Sequence, residues 1–97
     1  MTALPIEITL HEIPRWQPLV TRLHEGCADL ASRLGEAGRW QVVVERRRSG
    51  EVVARLRVDW SRGSQHASGR DEDPLAALSE AFSALATELP APIAHAG

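Results

Sequence analysis

Between residues 40 and 60 the chain alternates strictly in two stretches, and their parity limits how they can pair. Trp40, Val42 and Val44 alternate with Gln41, Val43 and Glu45. Val52, Ala54, Leu56, Val58 and Trp60 alternate with Val53, Arg55, Arg57 and Asp59. A period of two marks strands with one face buried. Cross-strand partners share a face, so the loop length decides which residues meet. A two-residue loop at Ser49-Gly50 would set Val44 opposite Arg55 and Trp40 opposite Asp59, mixing core with solvent. A three-residue loop, Arg48-Ser49-Gly50, sets Val44 opposite Ala54, Val42 opposite Leu56 and Trp40 opposite Val58. The second register is the expected one, with Gly50 in the left-handed position of a bulged turn.

The rest of the chain is read around this hairpin. Leu4, Ile6, Ile8 and Leu10 alternate with Pro5, Glu7 and Thr9, which predicts a first half-buried strand. Pro14 and Pro18 follow, and a helix should begin near Pro18, where proline fits the first turn. Leu19, Leu23, Cys27, Leu30 and Leu34 form its apolar stripe. Gly26 interrupts that helix at a cost of about 1 kcal/mol relative to Ala. Gly35 and Gly38 supply the stop. After the hairpin, a two-residue turn at Arg62-Gly63 would pair Val58 with Ala67 and turn His66 and Ser68 outward. Asp73-Pro74 then opens a second helix, with Asp as N-cap and Pro at the first helical position. Its stripe is Leu75, Leu78, Phe82, Leu85 and Leu89, and Pro90 ends it. The predicted class is α+β, in the order β-α-β-β-β-α. The first helix joins two strands that can lie parallel through a right-handed crossover. Only one sheet face is apolar, so both helices should cover that face and leave the other open.

These elements fill residues 1–89 as one domain, with 90–97 as a frayed tail. The 97 residues carry no apolar run long enough to span a membrane. The first residues lack the basic and apolar regions of a secretory signal, and Cys27 is the single cysteine. A cytoplasmic protein without disulfides is expected. Cys27 lies on the apolar stripe and reads as a core residue.

No pattern for catalysis, metal binding or a phosphate-cradling glycine loop is present, and no cofactor is expected. His66 reads as a solvent-facing strand residue, with a general base as its functional alternative. Asp71-Glu72-Asp73 reads as helix capping rather than a cation site. Trp40 and Trp60 fall on the inward face and read as core rather than as stacking platforms for bases. Trp16 stays ambiguous. An enzyme is therefore not the expected class.

Charge is unevenly spread. Every one of the 11 basic residues is Arg, and the formal net charge is −2. Residues 39–62 hold seven Arg against Glu45, Glu51 and Asp59, a local balance of +4. Residues 71–97 hold five acids and no base. A basic hairpin of this kind attracts phosphates by counterion release. The competing reading is a solvated lattice of ion pairs, with Arg47 opposite Glu51 and Glu45 near Arg55 and Arg57.

Several short motifs, in order, resemble the ribosome hibernation promoting factor family, the short ribosome-associated inhibitors of bacteria. They are Pro5-Ile6-Glu7-Ile8 and Leu19, then Arg55-Leu56-Arg57-Val58-Asp59, then His66-Ala67-Ser68, then Asp73 with Leu75-Ala76-Ala77-Leu78, then Phe82 and Leu85. The similarity runs over residues 4–89. It implies a double-stranded-RNA-binding-like fold that occupies the mRNA–tRNA channel of the small ribosomal subunit and contacts its rRNA. Blocking that channel would halt translation and preserve idle ribosomes. Family members typically carry basic residues where this chain has Gly26, Asp29, Ala84 and Thr87. Binding would therefore rest on arginines alone: Arg22, Arg33, Arg46, Arg47, Arg55, Arg57, Arg62 and Arg70, whose forked guanidinium groups grip phosphate bidentately. The alternative is a protein-interaction module that kept the fold and lost the RNA. It would pair as a homodimer or with another protein through Val43 and Val53 on the open sheet face, or through a free sheet edge.

Overall fold

A computed structural model of the protein describes residues 5–89. Its elements are β1 (Ile6–His11), α1 (Gln17–Leu34), β2 (Arg39–Arg46), β3 (Val52–Trp60), β4 (Gly63–Asp71) and α2 (Pro74–Glu88). The strands form one sheet in the order β1-β2-β3-β4, with β1 parallel to β2 and the other pairs antiparallel. Both helices cover the same face. The expected α+β class and element order are those observed.

The hairpin adopts the register that parity predicts. Val44 faces Ala54, Val42 faces Leu56 and Trp40 faces Val58. Gly50 takes φ 93° in the turn, and its N–H donates to the Arg47 carbonyl at 2.9 Å. The inward residues Trp40, Val42, Val44, Val52, Ala54, Leu56 and Val58 are all buried. Burying each large apolar side chain contributes about 1.5–3 kcal/mol. Trp40 also needs a partner for its indole N–H, which donates to the Ala37 carbonyl at 2.8 Å.

The next turn differs from expectation. Trp60 pairs with Gly63, so the turn residues are Ser61-Arg62, and Ala67 faces Leu56 rather than Val58. The slip is two residues, which keeps every side chain on its expected face. Parity cannot separate registers that differ by two. A distant residue separates them: the Ser61 N–H and hydroxyl both donate to the Glu36 carboxylate, at 2.8 and 2.5 Å. That contact holds Ser61 in the turn.

Both helix starts follow proline. Pro18 sits in the first turn of α1, and Gly35 closes that helix at φ 78° with its N–H donating to the Ala31 and Ser32 carbonyls. At α2, the Asp73 carboxylate accepts from the Leu75 N–H at 3.0 Å. Leu19, Leu23, Cys27 and Leu30 of the first stripe are buried, and Leu34 is half-buried against the core. Leu78, Phe82, Leu85 and Leu89 are buried at the second, with Leu75 half-buried. The expected start of the first strand at Leu4 and the expected tail lie outside the described residues.

Two glycines permit close approaches, one between α2 and the sheet and one between the two helices. A Cβ on Gly69 of β4 would strike the Ala77 carbonyl oxygen and the Ala81 nitrogen, both backbone atoms of α2. A Cβ on Gly26 would strike the Phe82 ring. The glycine that weakens α1 as a helix is thus what admits Phe82.

Gly69→Ala should destabilise by about 2–3 kcal/mol, since backbone must move. Gly26→Ala should cost less, because it trades the overlap with a ring against better helix propensity. Urea denaturation of both variants checks the order. Burial pushes the Cys27 thiol up to about 12. Alkylation by iodoacetamide at pH 8 should therefore be negligible in the folded protein and complete in denaturant, read by mass spectrometry.

Candidate nucleic-acid interface on the open sheet face

The strand registers arrange the uncovered face in cross-strand rows. One row runs Glu7, Gln41, Arg57, His66, and the next runs Thr9, Val43, Arg55, Ser68. A third runs His11, Glu45, Val53, Arg70, and a fourth, at the other end, runs Arg39, Asp59, Ser64. Gln41, Val43, Arg55, Arg57, His66 and Ser68 line a shallow depression at the centre. Arg55 and Arg57 stand about 7 Å apart along one strand. Arg70 lies diagonal to Arg55, at about 7–8 Å.

Charge pairing on this face is sparse. Among the described residues the one ion pair is Arg57 with Asp59, at 3.2 Å and solvent-exposed. Such a pair contributes about 0–1 kcal/mol and is easily exchanged for a phosphate. Glu45 forms no ion pair with Arg55 or Arg57, so the expected lattice is not built there. Arg47 does lie opposite Glu51, as expected, but through backbone: its N–H donates to the Glu51 carbonyl at 2.8 Å.

The eight arginines singled out from the sequence do not share a surface. Arg55, Arg57 and Arg70 lie together on the open face. Arg46 ends β2, and its Nη1 donates to the Gly50 carbonyl at 3.1 Å, holding the hairpin turn. Arg47 is exposed in that turn. Arg62 is exposed in the turn at the opposite end of the sheet. Arg22 belongs to the helical layer, with its guanidinium 5.4 Å from the centre of the Phe82 ring, a cation–π contact. Arg33 lies in the last turn of α1, half-buried, with a buried Nε that has no hydrogen-bond partner.

Sequence reasoning missed Arg39, which is exposed on the same face as Arg55 and Arg57. The hairpin register already implied it, since that register sets Arg39 opposite Asp59. The open face carries no tryptophan. Trp40 is fully buried and Trp60 half-buried, as expected, and Trp16 is exposed beside the start of α1. Bases therefore find no indole platform on the sheet, and the side chains there are guanidinium, imidazole, amide and hydroxyl groups, with the Glu7, Glu45 and Asp59 carboxylates among them. The donors among these suit phosphate and sugar contacts.

Val53 corrects one expectation. It points to the open face yet is only 3% exposed and lies outside the main core cluster. It offers no apolar surface to a partner, and Val43 is half-buried. An interface seated on these two valines is not available as the face stands. No group of His, Cys, Asp and Glu fit to hold a metal ion occurs among the described residues. No helix there is long and apolar enough to cross a membrane.

Comparison places this architecture among known folds. No family model matches the chain, and no curated protein sequence does. Solved structures do match. The N-terminal domain of Protein Y from Thermus thermophilus superimposes with a TM-score of 0.71 at 20% identity, over 86% of this chain and 92% of that one. A ribosomal subunit interface protein from Coxiella burnetii superimposes with a TM-score of 0.76 at 12% identity, over 87% and 91%. The chain shares the fold of these proteins across nearly its whole described length.

Glu36 anchors the end of the sheet nearest Arg62. Hydrogen bonds from Ser61, through its hydroxyl and then its N–H, hold the Glu36 carboxyl below the ordinary carboxylate range, and Arg62 adds to the effect. A lowered folded-state value means that this contact stabilises the protein at neutral pH, and that its contribution is lost as pH falls through the lowered value. Ser61→Ala should bring the Glu36 titration back up toward the ordinary range. NMR titration of the side-chain carboxyl reads it, and an unchanged midpoint would show that the hydroxyl does not hold the group.

Proposed function

We propose that this chain is a ribosome-associated protein that binds rRNA of the small subunit and restrains translation, by occupying the channel used by mRNA and tRNA. The reading rests on one observation above the others: the fold shared over 87% of the chain with a ribosomal subunit interface protein. The open face supports it. Arg55 and Arg70 have no ion-pair partner among the described residues, and Arg57 has only an exposed one. The action is steric and electrostatic, and no bond is made or broken. Folded rRNA would be read by the position of its phosphates, with Gln41, His66 and Ser68 within reach of neighbouring sugars.

The arginine count sets the expected salt dependence. Three phosphate contacts predict that affinity falls roughly 20- to 40-fold between 50 and 200 mM salt. Co-sedimentation of the chain with purified small subunits across that range measures it. Arg55→Glu combined with Arg57→Glu should abolish co-sedimentation and leave thermal unfolding nearly unchanged, because both side chains are exposed. Failure to co-migrate even at the lowest salt would overturn ribosome binding. Unimpaired binding by the double variant would remove the sheet face as the contact surface.

A further inference from the structure

The sheet is finished differently at its two edges. At β4 the inward positions are Gln65, Ala67, Gly69 and Asp71, and α2 lies directly against the strand at Gly69. At β1 the inward positions are Ile6, Ile8 and Leu10. All three are half-buried, although their direct neighbours on β2, Trp40, Val42 and Val44, are fully buried. The helical layer thus stops short of the β1 edge. Edge strands are ordinarily blunted by lysine, proline or a bulge, and β1 carries none of these between Ile6 and His11.

The backbone of that edge has a definite parity. The Trp40 N–H donates to the Pro5 carbonyl at 2.9 Å. Successive residues of a strand turn their backbone groups to opposite sides. Pro5, Glu7, Thr9 and His11 therefore face β2, while Ile6, Ile8 and Leu10 present N–H and C=O to an edge that no described strand pairs with. A second copy adding antiparallel must make its hydrogen-bonded pairs from those even-numbered residues. Pairing Ile8 with Leu10 of the second copy does so, and it places Thr9 beside its own counterpart on a two-fold axis. Glu7 then stands directly opposite His11 of the second copy, and His11 opposite Glu7, in the close non-hydrogen-bonded positions. Both are exposed on the open face. The imidazole N–H donates to the carboxylate whether the ring is charged or neutral. Glu12, at φ 58°, turns the chain away immediately beyond this stretch.

We propose that the chain forms a homodimer through antiparallel pairing of β1 with β1 of a second copy, in the register that joins Glu7 to His11 and Ile8 to Leu10. The partner is a second copy because the edge is complementary to itself in charge, in hydrogen-bond parity and in its apolar inner row. The pairing makes one eight-stranded sheet. Its two-fold axis is perpendicular to the sheet, so both open faces, with their arginines, lie on the same side.

Sedimentation equilibrium of the full chain over a concentration series tests the dimer. The expected result is a mass moving to twice that of the chain. His11→Glu should weaken association at least about tenfold by opposing Glu with Glu twice. Adding Glu7→His to His11→Glu restores the pairs with the two residues exchanged, and should regain most of that loss. Circular dichroism confirms that each variant is folded. Thr9→Cys reports the register: its thiols should meet across the two-fold axis and form a disulfide dimer under mild oxidation, while Cys27 stays buried. A monomer at all concentrations overturns the proposal. So does a dimer that ignores His11→Glu, a swap that fails to rescue, or a Thr9→Cys chain that does not cross-link. Ribosome binding is read separately by co-sedimentation, so failure of one reading leaves the other intact.

Discussion

The packing of the helical layer depends on two side chains that are absent, one where α2 meets the sheet and one where the two helices meet. At Gly69 the backbone of α2 presses on the backbone of β4, and at Gly26 the Phe82 ring enters the space where a methyl group would sit. Interiors are packed densely enough that one added carbon is felt. If the helices were lifted off the sheet, the inward rows of β2 and β3 would lose their cover. The alternation that builds the hairpin would then have nothing to bury against.

Much of this was legible in the sequence, for a physical reason particular to each element. The β2–β3 register follows from parity plus a turn that demands a left-handed residue, and Gly50 supplies one. Asp73-Pro74 gives a helix start that only one conformation satisfies. The β3–β4 turn lies one residue earlier than parity suggests, a two-residue shift of register to which parity is blind, and the residue that decides it, Glu36, is 25 positions from Ser61 in the chain. Gly26 was read as a cost to α1. Its benefit lies on another helix and could not be seen from local pattern.

The site was less legible than the fold. Alternation told which arginines point outward, and so placed Arg55 and Arg57 correctly. It could not tell what an arginine does once there. Arg22 packs its guanidinium over Phe82, and Arg46 closes a turn, both through contacts set by tertiary geometry or by backbone carbonyls. Val53 shows the same limit from the other direction. Its position predicts exposure, yet the side chain is buried.

The permanent positive charges on the open face are all guanidinium groups. That has a consequence for control. Lysine charges are erased by acetylation and weaken when buried, whereas a guanidinium keeps its charge across the physiological pH range and is not a target of that modification. The arginine charge of this surface is therefore insensitive both to acetylation and to pH in the physiological range. An anionic ligand held here would be released by a change in the ligand, in the ionic surroundings or in the hydrogen-bonding capacity of the guanidinium groups, and not by loss of their charge.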